Sequence, residues 1–334
     1  MAETYVFYHL TRPAAVLRAT GPDAFAFLQS QFSNDLKNPG VEQPVTYGLW
    51  LDHKGKIQSD SFVLEKSPEN FLLVSYDCHA ALLRLQLESR LVADEVTLSD
   101  ETSEFGLLHV WAEVARDEFP KFRRSALAGG PAKLPEIAQA TFDDFQAHME
   151  GLADPATCES WMGRRPGPWS WDFLASPEVL TGLVRELVES GVEAADAEHL
   201  NTARIVVGVP SVPQDAGPGD FPQETRLDGA AVSFDKGCYL GQEIMSRLHT
   251  QGHVNRGLWQ VAWEGVVQLP PNTEPVPLYA GGVEAGELRS RVTTDDQGLG
   301  LAMLKQRVVA GQRTLSFSPN GPSAVQLVKD LTAI

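Results

Sequence analysis

The 334-residue chain carries 44 acidic against 27 basic residues, and its formal net charge of -17 opposes general attraction to phosphate backbones or anionic lipid surfaces. Its length suits roughly two domains, or three small ones, and its three widely separated cysteines, Cys78, Cys158 and Cys238, form neither a C-x-x-C pair nor an even disulfide framework. The N-terminus lacks a basic segment followed by an apolar run, and no later run reaches the ~18 apolar residues that span a bilayer. The chain therefore reads as cytoplasmic, with no general nucleic-acid binding and no membrane partner.

In chain order, a strand-like VLRA (Val16 to Ala19) precedes Gly21-Pro22-Asp23, and Phe25, Leu28, Phe32 and Leu36 then recur at helical spacing. Next come TYGLWL (Thr46 to Leu51), a DHKG turn (Asp52 to Gly55), an extended run through Leu64 and FLLVSY (Phe71 to Tyr76). His79 to Leu91 predicts a second helix and Val96 a short strand. This order suggests an antiparallel sheet with helices on one face. From Gly129 to Pro155 few apolar spacings hold, and the segment reads as a partly irregular connection. Ser176 before Pro177 predicts a capped helix stopped by Gly191, and Asp196 starts another through Val206. The Pro- and Gly-rich VPSVPQDAGPGDFPQ (Val209 to Gln223) is a long loop of the kind that is often functional. Beyond Arg256, LWQVAW, VPLY, ELRSRVTT, LGLAML, RTLSF and AVQLV are short strands of a small barrel.

The loop leads into KGCYLGQE, where Cys238 lies between Gly237 and Gly241, two residues after Lys236, and just ahead of the helical stripe of QEIMSRL. A thiol beside a cation and a helix N-terminus ionises more readily, whereas a small buried hydrophobe is the commoner use of a cysteine; both readings fit. Asp235 to Arg256 is locally basic through Lys236, Arg247 and Arg256, with His249 and His253 added, which suits a small anionic ligand or an ordinary solvated surface. Gly252 between the two histidines and the missing H-E-x-x-H glutamate argue against a metal site. Walker A, G-x-S-x-G and G-x-G-x-x-G motifs do not occur. Asp60, Glu224 and Asp228 are carboxylates in or beside turns that suit the paired donors of a pterin-like edge.

KGCYLGQE closely resembles the signature of the YgfZ family, relatives of the glycine-cleavage T-protein described as folate-binding factors that maintain certain iron-sulfur proteins. FPQETRLDGAAVSFD before it, GHVNRGLW after it, RIVVGVP, AFAFLQSQFSNDL and GKIQSDSFVL extend the resemblance over nearly the whole chain, with a weaker stretch around residues 112 to 165. The resemblance implies an α+β, T-protein-like (GcvT-like) fold: an N-terminal lobe over residues 1–110, a second lobe with the KGCYLGQE loop over 111–256, and a C-terminal β-barrel over 257–334. It implies tetrahydrofolate or a derivative as cofactor, with Asn34, Asp60, Glu224 and Arg256 as candidate ligands, and iron-sulfur client or assembly proteins as partners. Cys238 is then the essential thiol, supported by Lys236, Gly237, Tyr239, Gly241, Gln242 and Glu243. Where T-proteins carry two adjacent acids after the glycine turn, this chain has Ser59 and then Asp60, which disfavours aminomethyl transfer. A folate-dependent aminomethyltransferase or demethylase, and a folate-independent scaffold for iron-sulfur proteins, are the alternatives.

Overall fold

The computed structural model describes residues 4–37, 45–114, 142–167, 169–252 and 254–332. The chain forms two units, each assembled from separated stretches: Met1–Pro13 with Ser103–Val209, and Ala14–Thr102 with Pro210–Ile334. β1 (Thr4–Thr11) belongs to the first. The second holds β2 (Ala15–Thr20), α1 (Ala24–Gln31), β3 (Val45–Leu51), β4 (Ile57–Ser67), β5 (Asn70–Ser75), α2 (Ala80–Glu88) and β6 (Thr97–Asp100). β7 (Gly106–Val114), α3 (Phe142–Leu152), β8 (Cys158–Met162), β9 (Ser170–Ala175), α4 (Pro177–Glu189), β10 (Glu193–Ala194) and α5 (Ala197–Val207) return to the first. The second then closes with α6 (Asp228–Ala231), α7 (Gln242–Gln251), β11 (Arg256–Glu264), β12 (Val276–Ala280), β13 (Val283–Thr293), β14 (Gln297–Lys305), α8 (Gln306–Val309), β15 (Thr314–Leu315) and β16 (Val325–Asp330).

In the first unit the strand order is β10-β1-β7-β9-β8, with only the short β10 parallel to its neighbour. Phe145 and Met149 of α3 and Leu180, Leu183 and Leu187 of α4 bury against Leu108, Val110 and Phe173. The α4 stripe falls at spacings of three and four, as a helix packed on one face requires. Ser176 accepts a hydrogen bond from the Val179 amide and Pro177 occupies the first turn, while Asp196 caps α5 through the His199 amide. His109 and Asp172 stand directly opposite each other on β7 and β9, fully buried and hydrogen-bonded at 2.6 Å.

The second unit contains an antiparallel sheet of order β3-β4-β5-β2-β6. On one face Phe27, Leu28, Leu83 and Leu87 of α1 and α2 pack on Leu17, Trp50, Val63 and Leu73. Alternation along β3 sends Leu49 and Leu51 to the other face, where Val212, Leu227, Tyr239 and Met245 cover them. The remaining strands form a six-stranded sheet of order β12-β13-β14-β11-β16-β15, nearly closed by a two-way backbone exchange between Tyr279 and Ser316. Val261, Trp263, Leu278, Leu288 and Val325 fill its interior, giving the small barrel expected from the short strands beyond Arg256.

Two expectations need correction. The helical spacing of Phe25 to Leu36 overruns α1, which stops at Gln31; Phe32 is extended and bridges Trp50. The cause lies in the next residue: the Ser33 amide donates to Leu49 O, and Ser33 Oγ accepts from the Leu49 amide, so the chain is drawn onto β3. The connection read as irregular from Gly129 to Pro155 lies partly outside the described residues, and most of its described part is the helix α3, with Phe145 and Met149 buried four residues apart. The strands β1, β7, β8 and β9 had no reading from the sequence at all.

Gly48 lets Phe32 into this corner, since a Cβ there would stand 2.5 Å from the Phe32 ring. Gly48→Ala is expected to destabilise by about 1–3 kcal/mol through overpacking. A lowered urea midpoint with an unchanged m-value is the signature; an unchanged midpoint contradicts the tight contact.

Candidate functional site

Residues 236–243 grip the end of α1. A helix leaves its last carbonyls without intrahelical partners, and here the motif supplies them. Lys236 is buried, and its Nζ donates to the carbonyls of Gln29, Phe32 and Asn34 at 2.7, 2.8 and 2.8 Å. The Leu240 amide donates to Ser30 O, and the Ser233 amide to Ser33 O. Tyr239 is buried, with its ring centroid 5.3 Å from the Lys236 ammonium, within cation-π range. Gly241 adopts φ 84°, and a Cβ there would lie 2.7 Å from Asp52 O and 2.9 Å from Gly55 Cα, so only glycine lets the loop settle on the DHKG turn. Gln242 Nε2 donates back to Lys236 O, closing the bend, and α7 begins. Glu243 faces outward and pairs with Arg247 one turn on.

Between the two anchors, Gly237 and Cys238 are exposed. The other two thiols are buried, and burial pushes each of them up to about 12. The cation expected to stand by the thiol is instead engaged by carbonyls: an ammonium has three protons, and all three have acceptors. Burial brings that ammonium down to about 8, opposed by the nearby Asp35 carboxylate. The basic stretch seen in the sequence is thus divided, with Lys236 inside, Arg247 and His249 exposed, and His253 outside the described residues.

The four candidate folate ligands occupy different settings. Asn34 Nδ2 donates to Tyr47 O at 2.8 Å and lies 3.5 Å from Ala230 O. Glu224 and Arg256 are partners of each other in a bidentate pair at 2.7 and 3.1 Å, and Arg256 also reaches Asp220 at 3.0 Å. Asp220 in turn pairs with Arg289, a residue the sequence reading passed over. Asn34, Glu224 and Arg256 each bond within the protein, as Asp60 does. Asp60 is an acceptor for Tyr47 Oη at 2.8 Å, Ser75 Oγ at 3.2 Å and Cys78 Sγ at 3.4 Å. Asp228, the third turn carboxylate, opens the short α6.

Ser59 and Asp60 point to opposite faces of β4. Ser59 Oγ donates to Gln86 Oε1 at 2.8 Å on the α2 side, while Asp60 lies on the face with Cys78. A carboxylate at position 59 would sit between sheet and helix, away from Asp60. The absence of an acid at Ser59 therefore does not bear on the face that carries the motif.

Among the described residues no group of three or more His, Cys, Asp or Glu is placed to hold a metal, and no helix is long and apolar enough to cross a membrane.

The GCVT N-terminal domain family matches residues 14–142. The iron-sulfur cluster assembly factor IBA57 homolog, mitochondrial, of Cryptococcus neoformans is 23% identical over 254 residues, covering 74% of this chain. The match spans 64% of that fungal relative's length, under two thirds of it. The mitochondrial iron-sulfur cluster assembly factor IBA57 of Mus musculus is 27% identical over 342 residues, 94% of this chain and 82% of its own. The tRNA-modifying protein YgfZ of Serratia proteamaculans is 27% identical over 270 residues, 80% of this chain and 74% of its own. Among solved structures, the glycine cleavage system aminomethyltransferase T from Bartonella henselae superposes with a TM-score of 0.67 at 15% identity, covering 98% of this chain and 86% of that one, a likeness of fold.

Two measurements check the site's geometry. Titration of the native protein with a thiol reagent at pH 7.5 is expected to modify one equivalent, at Cys238, and three after denaturation, because thiols held near 12 stay protonated and buried. Fast modification of Cys78 or Cys158 contradicts the burial. Tyr239 Oη is buried with no hydrogen-bond partner among the described residues, so Tyr239→Phe is expected to leave the unfolding midpoint unchanged or raise it, while Tyr239→Ala costs about 3–5 kcal/mol.

Proposed function

Because the chain belongs to the YgfZ/IBA57 family, we propose that it is an accessory protein for the assembly or repair of iron-sulfur clusters in client enzymes, that it binds tetrahydrofolate or a derivative, and that Cys238 is its essential thiol. The observation that carries this reading is the presentation of Cys238. Of three cysteines it is the exposed one, and Lys236 before it and Leu240 after it are fastened to the end of α1. A solvent-facing thiol on a fixed loop suits encounter with a partner protein; a structural cysteine would be inside. The names of the relatives support the direction, since they specify iron-sulfur cluster assembly or tRNA modification. A net charge of -17 opposes direct engagement of RNA, which favours the iron-sulfur reading. Folate enters through the T-protein-like fold, with Asn34, Asp60, Glu224 and Arg256 as candidate ligands, of which Asp60 is a buried carboxylate on the face covered by the motif loop.

One-carbon transfer is the second reading, favoured by a single observation: Asp60 supplies a buried carboxylate on the face covered by the motif loop. Folate-dependent formation of methylene-tetrahydrofolate from a methylamine-type substrate would establish it.

The decisive test is iron-sulfur enzyme activity in a deletion strain carrying the wild type or Cys238→Ser. The wild type is expected to restore activity and the variant to fail at equal protein level. Full restoration by the variant removes the thiol from the function. Tetrahydrofolate titration followed by tryptophan emission is expected to saturate, with seven tryptophans in the chain as reporters. A flat titration leaves a folate-independent scaffold.

A further inference from the structure

We propose that Lys236 is a positioning residue for Cys238: it acts as a detached cap for the end of α1, and the bonds it makes there, with the Leu240 amide on the other side, hold the thiol out in one place. The inference rests on the reading of Cys238 as the working thiol and concerns how that thiol is presented.

The geometry leaves Lys236 no other role toward a ligand. Its three protons meet three carbonyls, so no donor remains for an anion, and its ammonium is buried rather than beside the exposed thiol. The carbonyls belong to Gln29 in the last turn of α1 and to Phe32 and Asn34 in the segment that follows it. That segment is itself held: Gln29 Oε1 accepts from the Leu36 amide and Gln29 Nε2 donates to Asp35. Positive charge at a helix C-terminus is favourable, so the cation and the site it caps are matched in sign. Two residues past Cys238, the Leu240 amide takes Ser30 O from the same helix end. Both anchors of the cysteine therefore reach one receptor, the terminus of α1, and loss of the first leaves the loop hinged on the second.

The test uses the full chain with Lys236→Met, which keeps an unbranched stem one atom shorter and removes the donors, and Lys236→Arg, which restores a charged donor. Hydrogen exchange of the Ser233 and Leu240 amides is expected to accelerate at least about tenfold in Lys236→Met relative to core amides such as Leu73, and to recover partly in Lys236→Arg. Cys238 alkylation is expected to change rate in step, and complementation of the deletion strain to fall. Unchanged exchange and alkylation in Lys236→Met overturn the proposal, even where Cys238→Ser abolishes function. If Lys236→Met fails to fold, exchange in the wild type decides: Leu240 and the last-turn amides of α1 opening together supports the clasp, and Leu240 exchanging far faster than α1 refutes it. Restored function with Cys238→Ser sinks the proposed function instead, leaving the exchange result to stand alone.

Discussion

A buried ammonium is the constraint around which the motif region is arranged. Burying a charge costs several kcal/mol unless its hydrogen bonds are met, and Lys236 meets them with carbonyls that a longer α1 would have used internally. The early stop of α1 at Gln31 is thus a condition of the site. That stop depends on Ser33, which exchanges bonds with Leu49 of β3 and donates its hydroxyl to Ala231 O at 2.5 Å. Helix end, sheet edge and motif loop determine one another, and the Cys238 thiol is the part of this arrangement that faces solvent.

A second set of charges fixes the approach to the motif. Asp220 and Glu224 pair with Arg256 and Arg289, and Arg289 also pairs with Glu287. Arg256 begins β11 and Arg289 lies on β13, so the cluster ties the end of the long Pro- and Gly-rich loop to the barrel. Lys56 reinforces the join, with its Nζ on Gly219 O at 2.8 Å and 3.3 Å above the Phe221 ring. The end of this long loop is fastened by Glu224 and Arg256, two of the residues that the family resemblance offers as folate ligands.

The parts of the fold that announce themselves locally were legible in the sequence. The Ser176-Pro177 cap, the Asp196 cap, the DHKG turn and the barrel strands each carry their signal within a few residues. What escaped depends on distant pairing. β7 and β9 bury both faces and lack a simple alternation, and His109 finds Asp172 63 residues away because the strand register puts them opposite. Lys236 meets its carbonyls more than 200 residues back along the chain. Sequence proximity to Cys238 suggested a cation for the thiol, whereas the alternation of buried Lys236, exposed Gly237 and Cys238, and buried Tyr239 puts the cation inside. The motif around Cys238 is local and could be read from the sequence; the way the residue is presented could not, because it is made by α1.

The same distinction decides what the acid beside the glycine turn means. Read along the chain, Ser59 and Asp60 are neighbours, and a serine in place of an acid looks like a lost catalytic group. Read on the sheet, they belong to different layers. Ser59 pairs across from Trp50 and bonds Gln86 of α2, in the layer filled by the helices. Asp60 pairs across from Leu49 and takes bonds from Tyr47, Ser75 and Cys78, in the layer that Tyr239 and Met245 cover. Burial of Asp60 without those donors would be costly, and with them the carboxylate is held in one orientation. The acid on the face that the motif covers is therefore Asp60, and comparison of acids between this chain and T-proteins has to be made face by face, not position by position.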